Sequence, residues 1–346
     1  MTSSPSTMLA AVYQGQRTVT VEQLPVPAAA AGQVVIEVSH CGICGSDLHF
    51  MMEDWSRPGA VHGHEYSGEI VATGDGVDDW AVGDRVVGGP GHGCGACDPC
   101  LAGRTHLCLS REKAGITHHQ GAFAAYKSID AGSLFRIPDR LDLRSAALTE
   151  PVAVALRGVR RAGVVAGQRV LVTGAGPIGM LSVAVLRALG VTDITVSEPG
   201  ERRRHLALAV GASSVVLPDE LETPPLPMDL VDAPFHVALE CSGRPDAMEA
   251  ALGQLGRSGT LVLSGTGIIR PKFDTNRIIL NELVVTGTCE YTRQDFDDAL
   301  TLLADGSLPL DLLIESEDVP LGRMQQAMEQ LVSGELAGKV MVVPRA

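Results

Sequence analysis

The chain has 346 residues, of which 45% are hydrophobic and 20% are charged. This size and balance exclude a disordered, fibrous or peptide-sized molecule and predict a large core divided between two domains. The formal net charge of -14 repels phosphate backbones and anionic lipid surfaces, so we expect neither nucleic acid nor a membrane as a partner. No apolar run approaches the roughly 18 residues of a membrane helix, and the first residues lack the basic and apolar regions of a signal peptide. We therefore expect a cytoplasmic protein.

Short runs rich in Val and Ile alternate with Gly and Asp turns in the first third of the chain. The runs at 34–38, 68–72 and 84–87 show this pattern most clearly. Such alternation predicts an antiparallel or barrel-like β region.

A second group of features in this region consists of metal-binding residue types. Cys44 stands two residues before Ser46 and five before His49, and His64 is followed directly by Glu65. A thiolate, an imidazole and a carboxylate together suit a catalytic zinc that keeps one position for water or substrate. Asp47 is placed to orient the His64 ring, as metal-bound histidines usually require.

Glu150, followed by a proline, is a further candidate carboxylate at the junction of the two predicted regions. An ordinary acidic residue at a helix start is an equally good interpretation of Glu150, because the helix dipole favours one there.

Four cysteines lie within a short stretch of the same region, at positions Cys94, Cys97, Cys100 and Cys108. Their short spacings allow one loop to surround a tetrahedral ion, and zinc with four Cys ligands has no open position for chemistry. The pattern therefore predicts a structural zinc site. The alternatives are a disulfide framework, which belongs mainly to short secreted chains, and a redox-active thiol cluster.

Strand and helix signals alternate from about residue 169 onward, which predicts a parallel α/β sheet. The predicted strands are 170–173, 193–197, 236–240, 260–264 and 283–286. Residues 218–227, with four prolines and three acidic residues, are predicted to form a solvated loop within this domain. The last fifty residues predict two amphipathic helices, at 296–303 and 324–331, and a final strand at 340–343.

A glycine motif lies between the first of these strands and the helix that follows it, with the sequence Gly174-Ala-Gly176-Pro177-Ile178-Gly179. In this setting the first glycine makes a tight turn, the second lets the backbone approach a pyrophosphate, and the third packs the helix on the strand. The motif therefore predicts a dinucleotide site.

The next strand ends at Glu198, nineteen residues after Gly179. A carboxylate at this place holds the adenosine ribose hydroxyls and repels a 2'-phosphate, so we predict NAD+ in preference to NADP+. Three arginines follow at 202–204. An arginine here is able to bind the 2'-phosphate of NADP+ instead, and we take Arg203 as the candidate.

These motifs, in this order, resemble the zinc-dependent medium-chain alcohol dehydrogenases over nearly the whole chain. The segments 43–49, 63–68 and Glu150-Pro151 are most similar to the polyol (sorbitol), butanediol and threonine dehydrogenase branch. The resemblance implies an α/β protein with a GroES-like β-rich catalytic domain and a Rossmann domain built on a doubly wound parallel sheet. The implied boundaries are 1–152 for the catalytic domain, 153–292 for the NAD-binding domain, and 293–346 for a segment that returns to the catalytic domain. It also implies a homodimer or homotetramer.

The resemblance further implies one catalytic and one structural Zn²⁺ per chain. Cys44, His64, Glu65 and Glu150 would surround the catalytic ion, and in some relatives one of the two glutamates reaches the metal only through water. Zinc would acidify the substrate hydroxyl, and Ser46 would pass the proton through the nicotinamide ribose to His49.

Three more residues are cofactor candidates. Ser264 and Thr288 follow late strands of the sheet and would touch the nicotinamide half of NAD+. Lys339 would meet the pyrophosphate, and a solvated surface lysine is an equally good interpretation of that residue.

We therefore predict an NAD-dependent, zinc-dependent oxidoreductase that acts on a secondary alcohol, polyol or vicinal diol. The alternative within enzymes is L-threonine 3-dehydrogenase. The alternative from another class is an NAD(H)-binding sensor or structural protein without turnover.

Overall fold

A computed structural model describes residues 5–89, 91, 93–110 and 121–346. The strands are β1 (Thr7–Gly15), β2 (Thr18–Pro25), β3 (Gln33–Gly42), β4 (Glu65–Thr73), β5 (Arg85–Gly88), β6 (Tyr126–Asp130), β7 (Leu134–Arg136), β8 (Arg169–Thr173), β9 (Asp193–Ser197), β10 (Ser214–Val216), β11 (Phe235–Glu240), β12 (Leu255–Leu263), β13 (Val284–Gly287), β14 (Val319–Pro320) and β15 (Met341–Val343).

The α-helices are α1 (Gly45–Met52), α2 (Asp98–Leu101), α3 (Leu143–Ala146), α4 (Thr149–Ala162), α5 (Pro177–Ala188), α6 (Glu201–Val210), α7 (Pro245–Gly253), α8 (Thr275–Leu280), α9 (Arg293–Ala304), α10 (Leu310–Leu313) and α11 (Met324–Ser333). Single 3-10 turns occur at Thr105–Leu107, Ala131–Ser133, Pro218–Glu220 and Leu321–Arg323. Within the described part of the chain, none of these helices has the length and apolar character needed to cross a bilayer.

The chain divides into two compact units. The first contains Met1–Pro151, Thr292–Gly306 and Ile314–Ala346, and the second contains Val152–Tyr291 and Ser307–Leu313.

The first unit is built on a β-sheet with the strand order β14-β15-β3-β4-β5-β7, and β6 pairs with the other part of β3. β3 is antiparallel to β4, to β6 and to β15, so this long strand is the centre of the sheet. β1 and β2 form a separate antiparallel hairpin. The β-rich character predicted for the first third of the chain is confirmed.

The core of the first unit joins distant parts of the sequence. Ile36 on β3 and Ile70 on β4 are fully buried, and Met328 on α11 and Val342 on β15 are buried in the same cluster. The C-terminal segment is therefore part of this core, and it brings its last strand against β3.

The second unit contains a six-stranded parallel sheet with the order β10-β9-β8-β11-β12-β13. Numbered within the unit, the order is 3-2-1-4-5-6, which is the doubly wound arrangement that binds dinucleotides where the strand order reverses. That reversal lies between β8 and β11. The predicted doubly wound sheet is confirmed, and each predicted strand overlaps one of β8, β9, β11, β12 and β13.

The proline-rich loop at 218–227 is exposed along most of its length, as predicted, but its backbone is also anchored. The buried Arg277 guanidinium donates hydrogen bonds to the carbonyl oxygens of Leu226 and Asp229, each at 2.8 Å. Asn281 donates to the Pro227 carbonyl at 2.8 Å. These contacts are about fifty residues apart in sequence, so composition alone does not predict them.

Candidate active site

Cys44, His64 and Glu65 come together in the first unit. Cys44 caps the N-terminus of α1, and Glu65 begins β4 directly after His64. The antiparallel register sets Gly42 of β3 opposite Glu65, which brings the Cys44 segment to this end of β4. One donor atom from each of the three side chains lies within 4.8 Å of the others. This donor set fits a zinc ion, because it offers three ligands of the types that catalytic zinc uses and leaves a position for substrate.

Asp47 lies beneath this cluster and is fully buried. Its Oδ2 accepts a hydrogen bond from the Cys44 amide at 2.9 Å, and its Oδ1 lies 3.7 Å from His64 Nδ1. The second distance is that of an ion pair and is longer than a hydrogen bond, so Asp47 acts on the His64 ring through its charge. Burial opposes charge on the His64 ring, but the charges of Asp47 and Cys44 raise its pKa well above the usual value.

The two residues predicted to move protons lie on α1. Ser46 Oγ is 3.5 Å from His64 Nε2, which places the hydroxyl beside the donor cluster. His49 lies one turn further along the helix, with Nδ1 2.9 Å from a carboxylate oxygen of Glu53. The His49 ring stacks on Trp55 at a centroid distance of 4.9 Å. The ring is therefore held in a fixed orientation, with 24% of its surface exposed.

Glu150 lies in the first turn of α4 and is 9% exposed. Its charge is one of the influences that raise the pKa of His64, so it lies in the electrostatic neighbourhood of the cluster. It is not a member of the group of three whose donor atoms lie within 4.8 Å of one another among the described residues.

The structure corrects the interpretation of Lys339. The side chain is 1% exposed, so it is not a solvated surface lysine. Its ammonium donates hydrogen bonds to Glu65 Oε1 at 2.7 Å and to the Ile43 carbonyl at 3.0 Å. Burial disfavours the ammonium, but the Glu65 and Cys44 charges raise the pKa of Lys339 above its usual value. The charge therefore has a buried carboxylate of the metal cluster as its partner, and the pyrophosphate contact predicted for Lys339 stays a prediction.

The four clustered cysteines also converge. One sulfur from each of Cys94, Cys97, Cys100 and Cys108 lies within 4.8 Å of the others. The Cys94 amide donates to Cys108 Sγ at 3.2 Å, and the Cys97 amide donates to Cys94 Sγ at 3.4 Å. Amide hydrogen bonds from Ala96 and Cys97 lower the pKa of Cys94 to about 6, which favours the thiolate that metals bind. None of the eight cysteines forms a disulfide, so this group fits a closed tetrahedral zinc site.

The glycine motif lies in the second unit, at the point where the strand order reverses. Gly174 follows β8 with a φ of +86°, a conformation that favours glycine. Gly176 caps α5 and Pro177 opens the helix. A Cβ on Gly179 would lie 1.9 Å from the Gly174 carbonyl oxygen, whereas one on Gly176 would meet nothing within 4 Å. The space beside Gly176, at a helix N-terminus, fits a dinucleotide phosphate. Ile178 lies in the first turn of the same helix.

Glu198 lies just after β9 and is 5% exposed. Its two carboxylate oxygens accept hydrogen bonds from the amides of Ala175 and Gly200, each at 2.8 Å. The carboxylate therefore joins the glycine turn to the next loop and leaves acceptor capacity for ribose hydroxyls. Arg204 donates to the Glu198 carbonyl at 2.9 Å, and Arg203 lies beside Gly200.

Ser264 and Thr288 follow β12 and β13 at the carboxyl edge of the parallel sheet. The Ser264 amide donates to the Glu240 carbonyl at 2.8 Å, and the Thr288 amide donates to the Leu263 carbonyl at 3.1 Å. The Thr288 hydroxyl is buried and has no hydrogen-bond partner among the described residues. This edge is where dinucleotides bind in doubly wound sheets.

Sequence reasoning missed Glu240, which ends β11 and is fully buried. Its carboxylate accepts hydrogen bonds from the amides of Ser242 at 2.7 Å and Gly243 at 3.1 Å. The Ser242 side chain lies 2.8 Å from the place of a Cβ on Gly174, so Glu240 fixes the loop against the glycine turn. A single acidic residue at the end of an apolar run was the available signal.

Models of two families match this chain. The alcohol dehydrogenase GroES-like domain matches residues 30–139, and the zinc-binding dehydrogenase model matches residues 177–305. The predicted combination of a GroES-like region and a Rossmann-type region is therefore confirmed.

Three curated relatives align along nearly the whole chain. A 2-dehydro-3-deoxy-L-galactonate 5-dehydrogenase from Pseudoalteromonas atlantica is 34% identical, covering 89% of this chain and 91% of the relative. An L-threonine 3-dehydrogenase from Thermococcus kodakarensis is 35% identical, covering 93% of each chain. A sorbitol dehydrogenase from Bacillus subtilis is 33% identical, covering 98% of each chain.

Two solved structures have the same fold. A putative zinc-binding dehydrogenase from Sinorhizobium meliloti, bound to NADP, has a TM-score of 0.88 with 31% identity, covering 98% of this chain and 100% of that one. A 2R,3R-butanediol dehydrogenase from Bacillus subtilis has a TM-score of 0.85 with 30% identity, covering 97% of this chain and 99% of that one. With the two cysteine-containing donor clusters and the glycine turn, these likenesses show that the chain belongs to the zinc-dependent medium-chain alcohol dehydrogenase family.

Proposed function

We propose that this dehydrogenase transfers a hydride from a secondary alcohol, polyol or vicinal diol to NAD+ and releases the ketone or aldehyde. The observation that carries the proposal is the cluster of Cys44, His64 and Glu65 with the Ser46 hydroxyl beside it. A sensor that only binds NAD(H) has no use for a proton acceptor beside a metal site. Family membership also favours an enzyme over such a sensor.

The substrate class follows from chemistry that the relatives share. Sorbitol and 2R,3R-butanediol, named for two of the similar proteins, carry neighbouring carbons that each bear a hydroxyl. L-threonine, named for a third, carries a secondary hydroxyl next to an amine-bearing carbon. Threonine 3-dehydrogenase activity is therefore our second candidate, supported by the 35% identity to that relative.

We assign Cys44, His64 and Glu65 as ligands of the catalytic zinc, with Glu150 as a further carboxylate directly or through water. Bound zinc supplies a Lewis acid that stabilises negative charge on the substrate oxygen. The protein holds the His64 ring through Asp47 and holds the Glu65 carboxylate through Lys339. The four-cysteine loop is assigned to the structural zinc, because it leaves no position open.

Two residues of α1 are assigned to proton movement. Ser46 Oγ accepts the proton that the substrate hydroxyl loses and would give up its own through the nicotinamide ribose, since it is the hydroxyl closest to the metal donors on this helix. His49 carries the proton onward to solvent, with a Glu53 carboxylate oxygen 2.9 Å from its Nδ1. Histidine suits this role because its ordinary pKa lies near neutral pH.

The dinucleotide is assigned to the second unit. The glycine turn at 174–179 receives the pyrophosphate, and Glu198 accepts hydrogen bonds from the adenosine ribose. Ser264 and Thr288 lie at the sheet edge expected to meet the nicotinamide half. The Glu198 carboxylate opposes a 2'-phosphate, so we propose NAD+ as the preferred acceptor, with Arg203 the residue best placed to admit NADP+.

The experiment is a substrate panel on purified protein whose zinc content is measured in the same sample. Sorbitol, butanediol isomers, simple secondary alcohols and threonine are tested with NAD+ and NADP+, and reduction of the nicotinamide is followed by absorbance. We expect two zinc ions per chain and fastest NAD+ reduction with a polyol or vicinal diol. Fastest turnover of threonine would select the second candidate. Tight NADH binding with no turnover of any alcohol would contradict both.

We also propose that copies of the chain associate through β13, the last strand in the order of the parallel sheet. Val284 on this strand is 51% exposed, and Ile279 and Leu280 on the preceding α8 are 69% and 53% exposed. Exposed apolar side chains beside an unpaired strand edge are typical of a pairing surface. Sedimentation equilibrium is expected to give the mass of a dimer or tetramer. A monomer at all concentrations would contradict this assignment.

A further inference from the structure

The backbone around Lys339 is fixed on both sides. The residue lies two positions before β15, which pairs with β3 so that Met341 is opposite Gly42. The Ile43 amide donates to the Val340 carbonyl at 3.0 Å, and Ile314 forms a parallel bridge with Lys339 itself. The C-terminal segment therefore delivers one lysine to the strand end that leads into Cys44.

Hydrogen bonds hold the ammonium of Lys339 beside Glu65 and the Ile43 carbonyl. Two of its three donors are used, by Glu65 Oε1 at 2.7 Å and by the Ile43 carbonyl at 3.0 Å. Lys339 and Glu65 are both buried, at 1% and 0% exposure. A buried ion pair of this kind is stable only when both charges are present, because removal of one leaves the other uncompensated in the protein interior.

Glu65 uses its two oxygens differently. Oε1 is bound to Lys339, whereas Oε2 is buried and has no hydrogen-bond partner among the described residues. A Cβ on Gly42 would lie 2.2 Å from Oε2 and 3.2 Å from Lys339 Cδ, so the glycine is what leaves room for the pair. A buried carboxylate oxygen without a partner is costly unless a cation binds it.

We propose that Lys339 is a positioning residue for the zinc ligand Glu65: it holds Oε1, so that Oε2 remains as the oxygen available to the metal. The inference rests on the proposed function, since it takes Glu65 to be a ligand. Lys339 also supplies positive charge beside several acidic groups, namely Asp47, Glu65, Glu150 and Cys44. The donor cluster is therefore ordered before the metal arrives, and the contribution of Lys339 appears in metal affinity.

The test compares the wild-type protein with Lys339→Met, which keeps the length and removes the charge, and with Lys339→Arg, which keeps the charge. Zinc per chain is measured by mass spectrometry, and zinc release to a coloured chelator is followed over time. The four-cysteine zinc serves as an internal reference. We expect Lys339→Met to weaken the binding of one zinc roughly 10- to 100-fold while the other is unchanged. Lys339→Arg is expected to restore most of the loss.

A spectroscopic readout separates positioning from a general loss of stability. With Co²⁺ in place of the catalytic zinc, the visible bands report the ligands around the metal, and Lys339→Met is expected to alter them. If Lys339→Met keeps both zinc ions with wild-type release rates and unchanged Co²⁺ bands, the proposal is overturned.

A second variant covers the case in which Lys339→Met does not fold. The double variant Glu65→Gln, Lys339→Met removes both charges of the pair and leaves neither ion unpaired. If Lys339 acts through Glu65, the double variant binds zinc as Glu65→Gln alone does. If Lys339→Met weakens zinc binding as much in the Glu65→Gln background as it does alone, the proposal is contradicted. A wild-type chain that binds only one zinc would instead refute the proposed function, which distinguishes the two failures.

Discussion

Asp47, Glu65 and Lys339 are charged side chains with at most 1% exposure, and they lie around one point in the fold. Removing an ion from water costs several kcal/mol, so such groups are retained only where each has a compensating partner. Here the Lys339 ammonium, the Cys44 amide and the His64 ring provide those partners. The cluster therefore has the charges and geometry of a cation site. The free-energy cost of burying these charges is offset by packing elsewhere in the first unit.

Cys241 is a thiol that the proposed chemistry does not use. Burial and the nearby Glu240 charge raise its pKa to about 12. Because only the thiolate reacts, the reactive fraction at pH 8 is on the order of 10⁻⁴ and rises about tenfold per pH unit until pH nears 12. Iodoacetamide at pH 8 is therefore expected to modify the exposed Cys289 and spare Cys241, as judged by peptide mass mapping. Equal labelling of both cysteines at pH 8 would contradict the assignment.

Two of the three glycines in the turn from β8 into α5 have different structural roles. Gly179 is required for packing, since a Cβ there would lie 1.9 Å from the Gly174 carbonyl oxygen. Gly176 is proposed to be needed for the ligand, since a Cβ there meets no atom of the described residues within 4 Å. The two positions are therefore a matched pair for separating folding from binding.

We expect Gly176→Ala to leave the melting temperature unchanged and to weaken NADH binding about tenfold or more, because the methyl group occupies the space that a phosphate needs. Gly179→Ala is expected to lower the free energy of unfolding by about 1–3 kcal/mol, by overpacking. Helix propensity alone would raise the free energy of unfolding by about 1 kcal/mol on this substitution. A decrease would therefore show that the steric clash outweighs helix propensity. Thermal denaturation and NADH fluorescence titration check both variants. Equal effects of the two substitutions on stability would contradict this division.

The elements that could be predicted are those with a local signal. β8 and β9 are short apolar runs bounded by turns, and the glycines at 174–179 mark the strand-to-helix turn by their spacing. The four clustered cysteines are equally local. By contrast, the β1–β2 hairpin was not predicted. β1 is buried along most of its length and β2 has no buried residue, so neither strand shows a regular alternation of buried and exposed residues.

At the scale of the whole molecule, the parts of the site that the sequence could not show are those made by distant segments. Lys339 and Glu65 are 274 residues apart, and they meet only because β15 returns to β3. The one available signal was a lone lysine next to the apolar run at 340–343, in a segment too hydrophobic for a surface. The assignment of Glu150 to zinc, directly or through water, stays a prediction for the same reason, since spacing says nothing about contacts across the fold.

The proposed function depends on a metal held by Cys44 beside a proton acceptor on the same helix. The most direct measurement is the turnover and zinc content of Cys44→Ser, with Cys289→Ser, which alters an exposed thiol, as the matched control. We expect Cys44→Ser to lose one zinc per chain, to retain the four-cysteine zinc, and to lose activity at least about 100-fold, because the Lewis acid is gone. The control is expected to keep two zinc ions and full activity. Full turnover of every active alcohol by Cys44→Ser would contradict the zinc mechanism.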